Sequence, residues 1–360
     1  MEAFFYAFIY LCLKFLMKKH FSLIVKICLI SIYVIILAGS TVRMTGSGMG
    51  CPDWPKCFGH LIPPTSEDQM LWKPNTEYKQ GIIIIKDETL LVSKQKFISG
   101  SELNERNWKP YTKHDYAKFN VIHTWVEYIN RLATVISGFL FLLLIFTSLY
   151  FWKERKLLVI LSFITLFLMG FEAWLGKTVV DTNLASGKIT IHMLVALLIV
   201  ALLLVLFYKS KKQLNKFKRD GLYKNLLIIV FILTIVQIVL GIEVREFVDE
   251  QLKTFGFANK QLITLDANTN FLVHRSFSIL VVFLNVWLFI RNRKLNLGFT
   301  MPFWILVIIS IEVLAGILMY YVDFPFGTQA IHMLFAALLF GAQFYLILES
   351  RNNFKEKKTI

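Results

Sequence analysis

Long apolar runs separated by short polar breaks dominate the chain from residue 21 to residue 348. Aliphatic and aromatic residues occupy consecutive positions in each run. Without the alternation of a barrel strand, that pattern predicts helices that are apolar all round. About 20 residues of helix cross roughly 30 Å of hydrocarbon. By that measure eight spans fall near 21–41, 120–150, 157–176, 189–208, 222–243, 270–290, 300–321 and 328–348. The long segment 43–119 interrupts the rhythm, and its polarity makes it a loop on one side of the membrane. Residues 1–20 are apolar but broken by Lys14, Lys18 and Lys19, which suits either an interfacial helix or an over-extended start.

Two of the runs share a phrase: ITIHMLVALL from Ile189 to Leu198, and QAIHMLFAAL from Gln329 to Leu338. Glu172 and Gly176 precede His192 by the intervals at which Glu312 and Gly316 precede His332. Earlier spans match as well, Gly39 and Arg43 against Gly241 and Arg245, and Asn130-Arg131 against His274-Arg275. The fold expected is therefore an all-α integral membrane protein of eight transmembrane helices, arranged as two pseudo-symmetric four-helix bundles. The first unit is 21–210 and carries the long loop; the second is 211–350, followed by a tail, 351–360.

Composition agrees with a membrane protein. The chain is 56% hydrophobic with 33 Phe, and its mean hydropathy is +0.59, beyond what a soluble core of 360 residues requires. A formal net charge of +15 invites a nucleic-acid reading. However, the basic residues cluster on alternate loops: Lys153, Arg155 and Lys156; Lys209 through Lys224; Arg291, Arg293 and Lys294; and the C-terminal tail. By the positive-inside rule both termini face the cytoplasm, or the equivalent matrix side. The charge thus orients the protein in lipid and calls for no nucleic acid. Neither a clear signal-peptide cleavage site nor an Arg-rich, Ser-rich transit sequence is evident, which points to a bacterial inner membrane.

The candidate chemistry follows from this topology. Spans two, four, six and eight run inward, and His123, His192, His274 and His332 fall early in them, so all four are expected near the outer face. Within each unit one imidazole from the second helix can meet one from the fourth, the geometry of bis-histidine haem ligation. The plainer reading is four hydrogen-bonded core histidines, which a repeated pattern of costly buried groups disfavours. On the second span Glu127, Asn130 and Arg131 share roughly the face of His123 by i, i+4, i+7 and i+8 spacing. Glu127 and Arg131 can also simply pair as ions. Arg43, Arg131, Arg245 and Arg275, near outer span ends, suit bidentate contact with haem propionates or snorkelling to lipid headgroups. In the long loop, Cys51 and Cys57 favour a disulfide, structural or redox-active, with zinc shared with His60 as the competing reading. Cys12 and Cys28 sit in apolar surroundings.

These residues resemble the heme A synthase family, which converts haem O to haem A for cytochrome oxidase assembly. The likeness rests on GSTVRMTGSGMGCPDWPKC, WVEYINR, LGKTVVDTNLASGKITIHM, the VHR of span six and the second IHM. It implies catalysis in the N-terminal unit, with Glu127 and His192 in the site. It also implies a haem b held by His274 and His332 in the C-terminal unit. Haem O is then the substrate, its C8 methyl oxidised through hydroxylated intermediates to a formyl group. Haem O synthase follows as pathway partner, and an oligomer is compatible. The chain departs from the family pattern Glu-x-x-His-Arg by having Asn130 where the histidine stands. His123, two turns earlier on the same face, is the substitute ligand expected; its alternative is a hydrogen bond to Glu127 or to a propionate. A di-haem quinol-oxidising electron carrier and a transporter are the competing functions. Glu127, matched in the second unit by Phe271, favours an enzyme over a carrier, and the scarcity of mid-membrane Gly or Pro breaks disfavours a transporter.

Overall fold

The computed structural model describes residues 2–112, 119–182, 186–211, 217–256 and 269–351. The tail beyond Arg351 and the side chain of Cys12 lie outside the described part. The long helices are α1 (Glu2–Met44), α2 (Val121–Ser148), α3 (Lys156–Asp181), α4 (Ser186–Ser210), α5 (Gly221–Phe255), α6 (Thr269–Lys294), α7 (Met301–Tyr321) and α8 (Thr328–Ser350). Among the described residues these supply eight segments long and apolar enough to cross a membrane. The chain is thus a multi-pass, all-α membrane protein with a small β-containing loop. Large apolar side chains such as Phe139, Phe167, Ile279 and Phe283 are exposed along the helices, as lipid contact requires.

Local chemistry sets the helix ends. Asn120 caps α2 by accepting the His123 N–H at 3.1 Å. Asp220 caps α5 by accepting the Tyr223 N–H at 2.6 Å, and its other oxygen accepts from Arg291 at 2.7 Å. Pro302 lies in the first turn of α7, where its missing N–H costs nothing. Gly327, at φ 89°, starts α8 from a left-handed conformation that suits glycine. Helix α5 runs to Phe255, beyond the span expected to end near 243, because Arg245 and Asp249 pair at 2.6 Å and carry the helix past the apolar stretch.

Two compact units emerge. One comprises Met1–Leu37, Ser137–Glu172 and Thr190–Ile360. In it α5 packs on α6 and α8, and α7 packs on α6 and α8, closing a four-helix ring. Its largest core joins Val25, Cys28, Ile32, Phe141, Leu144, Val159, Leu203 and Phe340, so Cys28 is indeed a small buried residue. A side chain at Gly341 would strike the Tyr33 hydroxyl, so the absent Cβ lets the helices approach closely.

The other unit comprises Ala38–Ile136 and Ala173–Ile189. Its long loop is more ordered than its polarity suggests. Strand β1 (Glu77–Tyr78) pairs with β4 (Phe97–Ile98). Strands β2 (Ile83–Lys86), β3 (Thr89–Ser93) and β5 (Trp108–Pro110) form an antiparallel sheet in the order β2-β3-β5. Alternate residues serve opposite faces. Ile83, Leu90 and Val92 pack on Cys51, Cys57, Phe58 and Met70, whereas Ile84 packs on Tyr78 and Trp108. Both faces are covered, which explains a run of four isoleucines in a polar segment.

Candidate functional site

In the loop-bearing unit, several of the candidate residues gather where the cysteine turn meets α2. Cys51 and Cys57 are joined in a disulfide, and their turn is closed by reciprocal backbone hydrogen bonds between Cys57 and His60 at 2.9 and 3.0 Å. Thr124 donates its hydroxyl to the Gly50 carbonyl at 2.8 Å. A Cβ on Gly50 would lie 2.5 Å from the His123 carbonyl carbon and oxygen, so only glycine allows this contact. One turn further along α2, Glu127 is buried. One carboxylate oxygen accepts the Cys51 N–H at 2.8 Å, and the other accepts from Arg131 at 2.5 Å. Arg131 also donates to the carbonyls of Asp53 at 2.7 Å and Lys56 at 2.8 Å. Its planar fork therefore binds the cysteine turn and the carboxylate at once.

The pairing of Glu127 with Arg131 at i, i+4 is thus formed, but as part of a larger clamp. The carbonyls that Arg131 would find could not be read from sequence, because they come from backbone 75 or more positions away. His123 occupies the first turn of α2 and is half-buried. Asn130 has its Oδ1 buried with no hydrogen-bond partner among the described residues, and a Cβ on Gly39 would lie 3.9 Å from that atom. An orphaned acceptor of this kind is costly unless a bound group satisfies it. In the loop itself, burial raises the Asp53 carboxyl above its ordinary value, pushes the Tyr111 hydroxyl up to about 12 and lowers the His60 imidazole.

In the other unit, His274 of α6 and His332 of α8 come together, with ring centroids 6.4 Å apart and planes at 77°. A Cβ on Gly241 would sit 3.0 Å from His274 Cε1, and one on Gly316 would sit 3.9 Å from His332 Cε1. Gly241 and Gly316, which the repeat had aligned with Gly39 and Gly176, leave room beside each imidazole. Gln237, one turn before Gly241, donates its amide to the His274 carbonyl at 3.0 Å. Sequence reasoning missed Gln237, although a lone amide in an apolar helix is a signal that can be read.

Glu312 meets His332 at Nδ1, and Glu172 meets His192 at Nδ1. Both glutamates are buried. Their repetition was visible in sequence; their partners were not. His192 remains more exposed than His332, at 43% against 30% of the side chain. Arg245 pairs with Asp249, and Arg275 is exposed and approaches the Tyr320 ring at 5.9 Å. Asp181 ends α3 and pairs with Lys177 at 3.7 Å.

Residues 22–344 match the COX15-CtaA family model, described as cytochrome oxidase assembly protein. The chain is 27% identical to the heme A synthase of Ehrlichia canis (strain Jake), over 89% of this chain and 90% of that one. It is 22% identical to the heme A synthase of Wolbachia pipientis wMel, over 92% and 93% respectively. A further heme A synthase, from the Wolbachia of Brugia malayi (strain TRS), is 23% identical over 90% of this chain and 95% of its own.

Proposed function

Since the chain belongs to the COX15-CtaA family of cytochrome oxidase assembly proteins, we propose that it acts as a heme A synthase: it oxidises the C8 methyl of haem O to a formyl group through hydroxylated intermediates. In this reading haem O is the substrate of the N-terminal four-helix repeat, 21–210, and a resident haem b occupies the C-terminal repeat, 211–350. The carrying observation is an asymmetry between two otherwise matched halves. Each has a glutamate-backed histidine, but only the first has a buried carboxylate, Glu127, where the second has Phe271.

The residues of the C-terminal repeat fit haem b. The rings of His274 and His332 lie 6.4 Å apart between centroids, a separation at which both imidazoles could hold one iron. His274 Nε2 lies 3.5 Å from the Gln237 amide, and its Nδ1 is buried without a hydrogen-bond partner among the described residues, so the ring keeps one nitrogen for a bound group. Bound there, haem b supplies one-electron transfer. His274 and His332 would hold its iron, Gly241 keeps space beside the His274 ring, and Gln237 anchors the α6 backbone at the ligand.

In the N-terminal repeat, His192 and His123 are the ligands assigned to the substrate haem, and Asn130 Oδ1 is an acceptor without a hydrogen-bond partner among the described residues. Glu127 is the catalytic residue, a carboxylate held at fixed position by Cys51 N–H and Arg131 so that it can stabilise developing positive charge or move a proton. Arg131 is committed to Glu127 and the cysteine turn, so Arg43, Arg245 and Arg275 are the candidates left for the propionates. Both termini are cytoplasmic, the membrane is the bacterial inner membrane, and a haem O synthase supplies the substrate.

The mirrored Glu–His pairs would equally serve a di-haem b electron carrier, the second reading. Mass spectrometry of haems extracted from the purified protein separates the two. The synthase holds haem O or a hydroxylated derivative beside haem b; a carrier holds haem b alone.

A further inference from the structure

Glu312 reaches across from α7 to His332 on α8, and Glu172 reaches from α3 to His192 on α4. In each case the contact is at Nδ1. For His332, Nδ1 also lies 3.2 Å from the Glu312 main-chain carbonyl, which can only accept. Nδ1 therefore carries a proton, and in the neutral imidazole the Nε2 lone pair is free.

Resting on the haem reading above, we propose that Glu312 and Glu172 are positioning residues for the axial histidines. Each carboxylate lies against Nδ1 of its imidazole, which would favour the Nδ1–H tautomer, leave Nε2 for the iron and make the imidazole a more basic ligand. A carboxylate on the far nitrogen of a metal-bound histidine orients the ring and raises its electron donation. Stronger donation favours ferric over ferrous iron, so the pair lowers the reduction potential of the haem it serves. The two sites are built unequally. His332 has a carboxylate and a carbonyl acceptor and is 30% exposed; His192 is 43% exposed and has the carboxylate. His332 is therefore oriented by two acceptors against one for His192, which would leave the N-terminal histidine freer, as a site that admits and releases its haem requires. The pairing also accounts for two buried carboxylates in the membrane, which are rare without a partner or a task.

The test is potentiometric titration and low-temperature electron paramagnetic resonance of the full-length protein, wild type against Glu312→Gln. Glutamine keeps an acceptor and removes the charge. The expected result is retained haem b with a shifted low-spin signal and a potential raised so that the reduced-to-oxidised ratio changes about tenfold, 59 mV for one electron. Glu312→Asp, which keeps the charge but shortens the reach, is expected to fall between them and serves the same comparison should the glutamine variant fail to accumulate. Haem b retained with unchanged potential and signal in both variants overturns the positioning role while leaving haem b in place. A wild-type protein without haem b, or one whose haem b content and low-spin signal His332→Ala leaves entirely unchanged, overturns the haem reading itself.

Discussion

Replacing Arg131 with leucine removes the centre of the clamp between the cysteine turn and α2. The guanidinium holds Glu127 at 2.5 Å and two carbonyls at 2.7 and 2.8 Å, and its side chain is 13% exposed. The carbonyls lie at the outer edge and regain water when it leaves, so each bond counts for about 1 kcal/mol or less. Glu127 cannot recover in that way, because its side chain is 5% exposed and keeps its Cys51 N–H contact. Removing one partner of a buried ion pair costs about 3–5 kcal/mol, and that dominates. At about 1.4 kcal/mol per factor of ten, amides of residues 50–60 that exchange by opening of this clamp should exchange roughly 10²–10³ times faster. Hydrogen–deuterium exchange with mass spectrometry on the protein in lipid nanodiscs measures this. Adding Glu127→Gln should return part of the protection, since the two losses share one interaction and couple by about 0.5–3 kcal/mol. Acceleration below about threefold, or strictly additive effects of the two substitutions, would refute the clamp.

Three other substitutions probe different parts of the structure. Gly50→Ala places a Cβ 2.5 Å from the α2 backbone at His123, which cannot yield as a side-chain tip would; peptides spanning residues 46–60 should lose exchange protection while those of α7 and α8 keep theirs. Gly241→Ala sets a methyl 3.0 Å from His274 Cε1, and it should change the low-spin haem signal or lower the haem b content without affecting expression. Burial lowers the His60 imidazole from its ordinary value, so its neutral form is the one the folded loop prefers. Its stabilising share is full above pH of about 6.5 and is lost as pH falls from there toward the lowered value. The thermal midpoint should therefore drop over that interval, and His60→Asn should flatten the drop.

The eight spans were legible because hydrocarbon thickness fixes helix length and leaves a long apolar run no other use. The repeat placed His274 opposite His332, and the 6.4 Å between their rings agrees with that pairing. Order in the 43–119 loop was not legible, since Asp87 and Glu88 make the β2–β3 turn with positive φ of 49° and 58° and lack the Asn-Gly signature such turns favour. The four isoleucines before them lacked alternation because both sheet faces are buried. Glu172 and Glu312 stood out as repeated, but the histidines that meet them lie on the next helix, which one-helix periodicity does not reach. The sequence offers Arg131 as a propionate ligand or a simple ion pair; its carbonyl partners depend on how the cysteine turn folds.

The central claim is tested most directly by extracting and chromatographing haems from membranes in which the chain is co-expressed with a haem O synthase, with wild type compared against Glu127→Ala. The account predicts haem A with the wild-type chain and haem O without haem A in the variant. Haem A at equal levels in both would remove Glu127 from the chemistry. Haem b alone on a wild-type protein that yields neither haem A nor a hydroxylated intermediate would contradict the synthase itself.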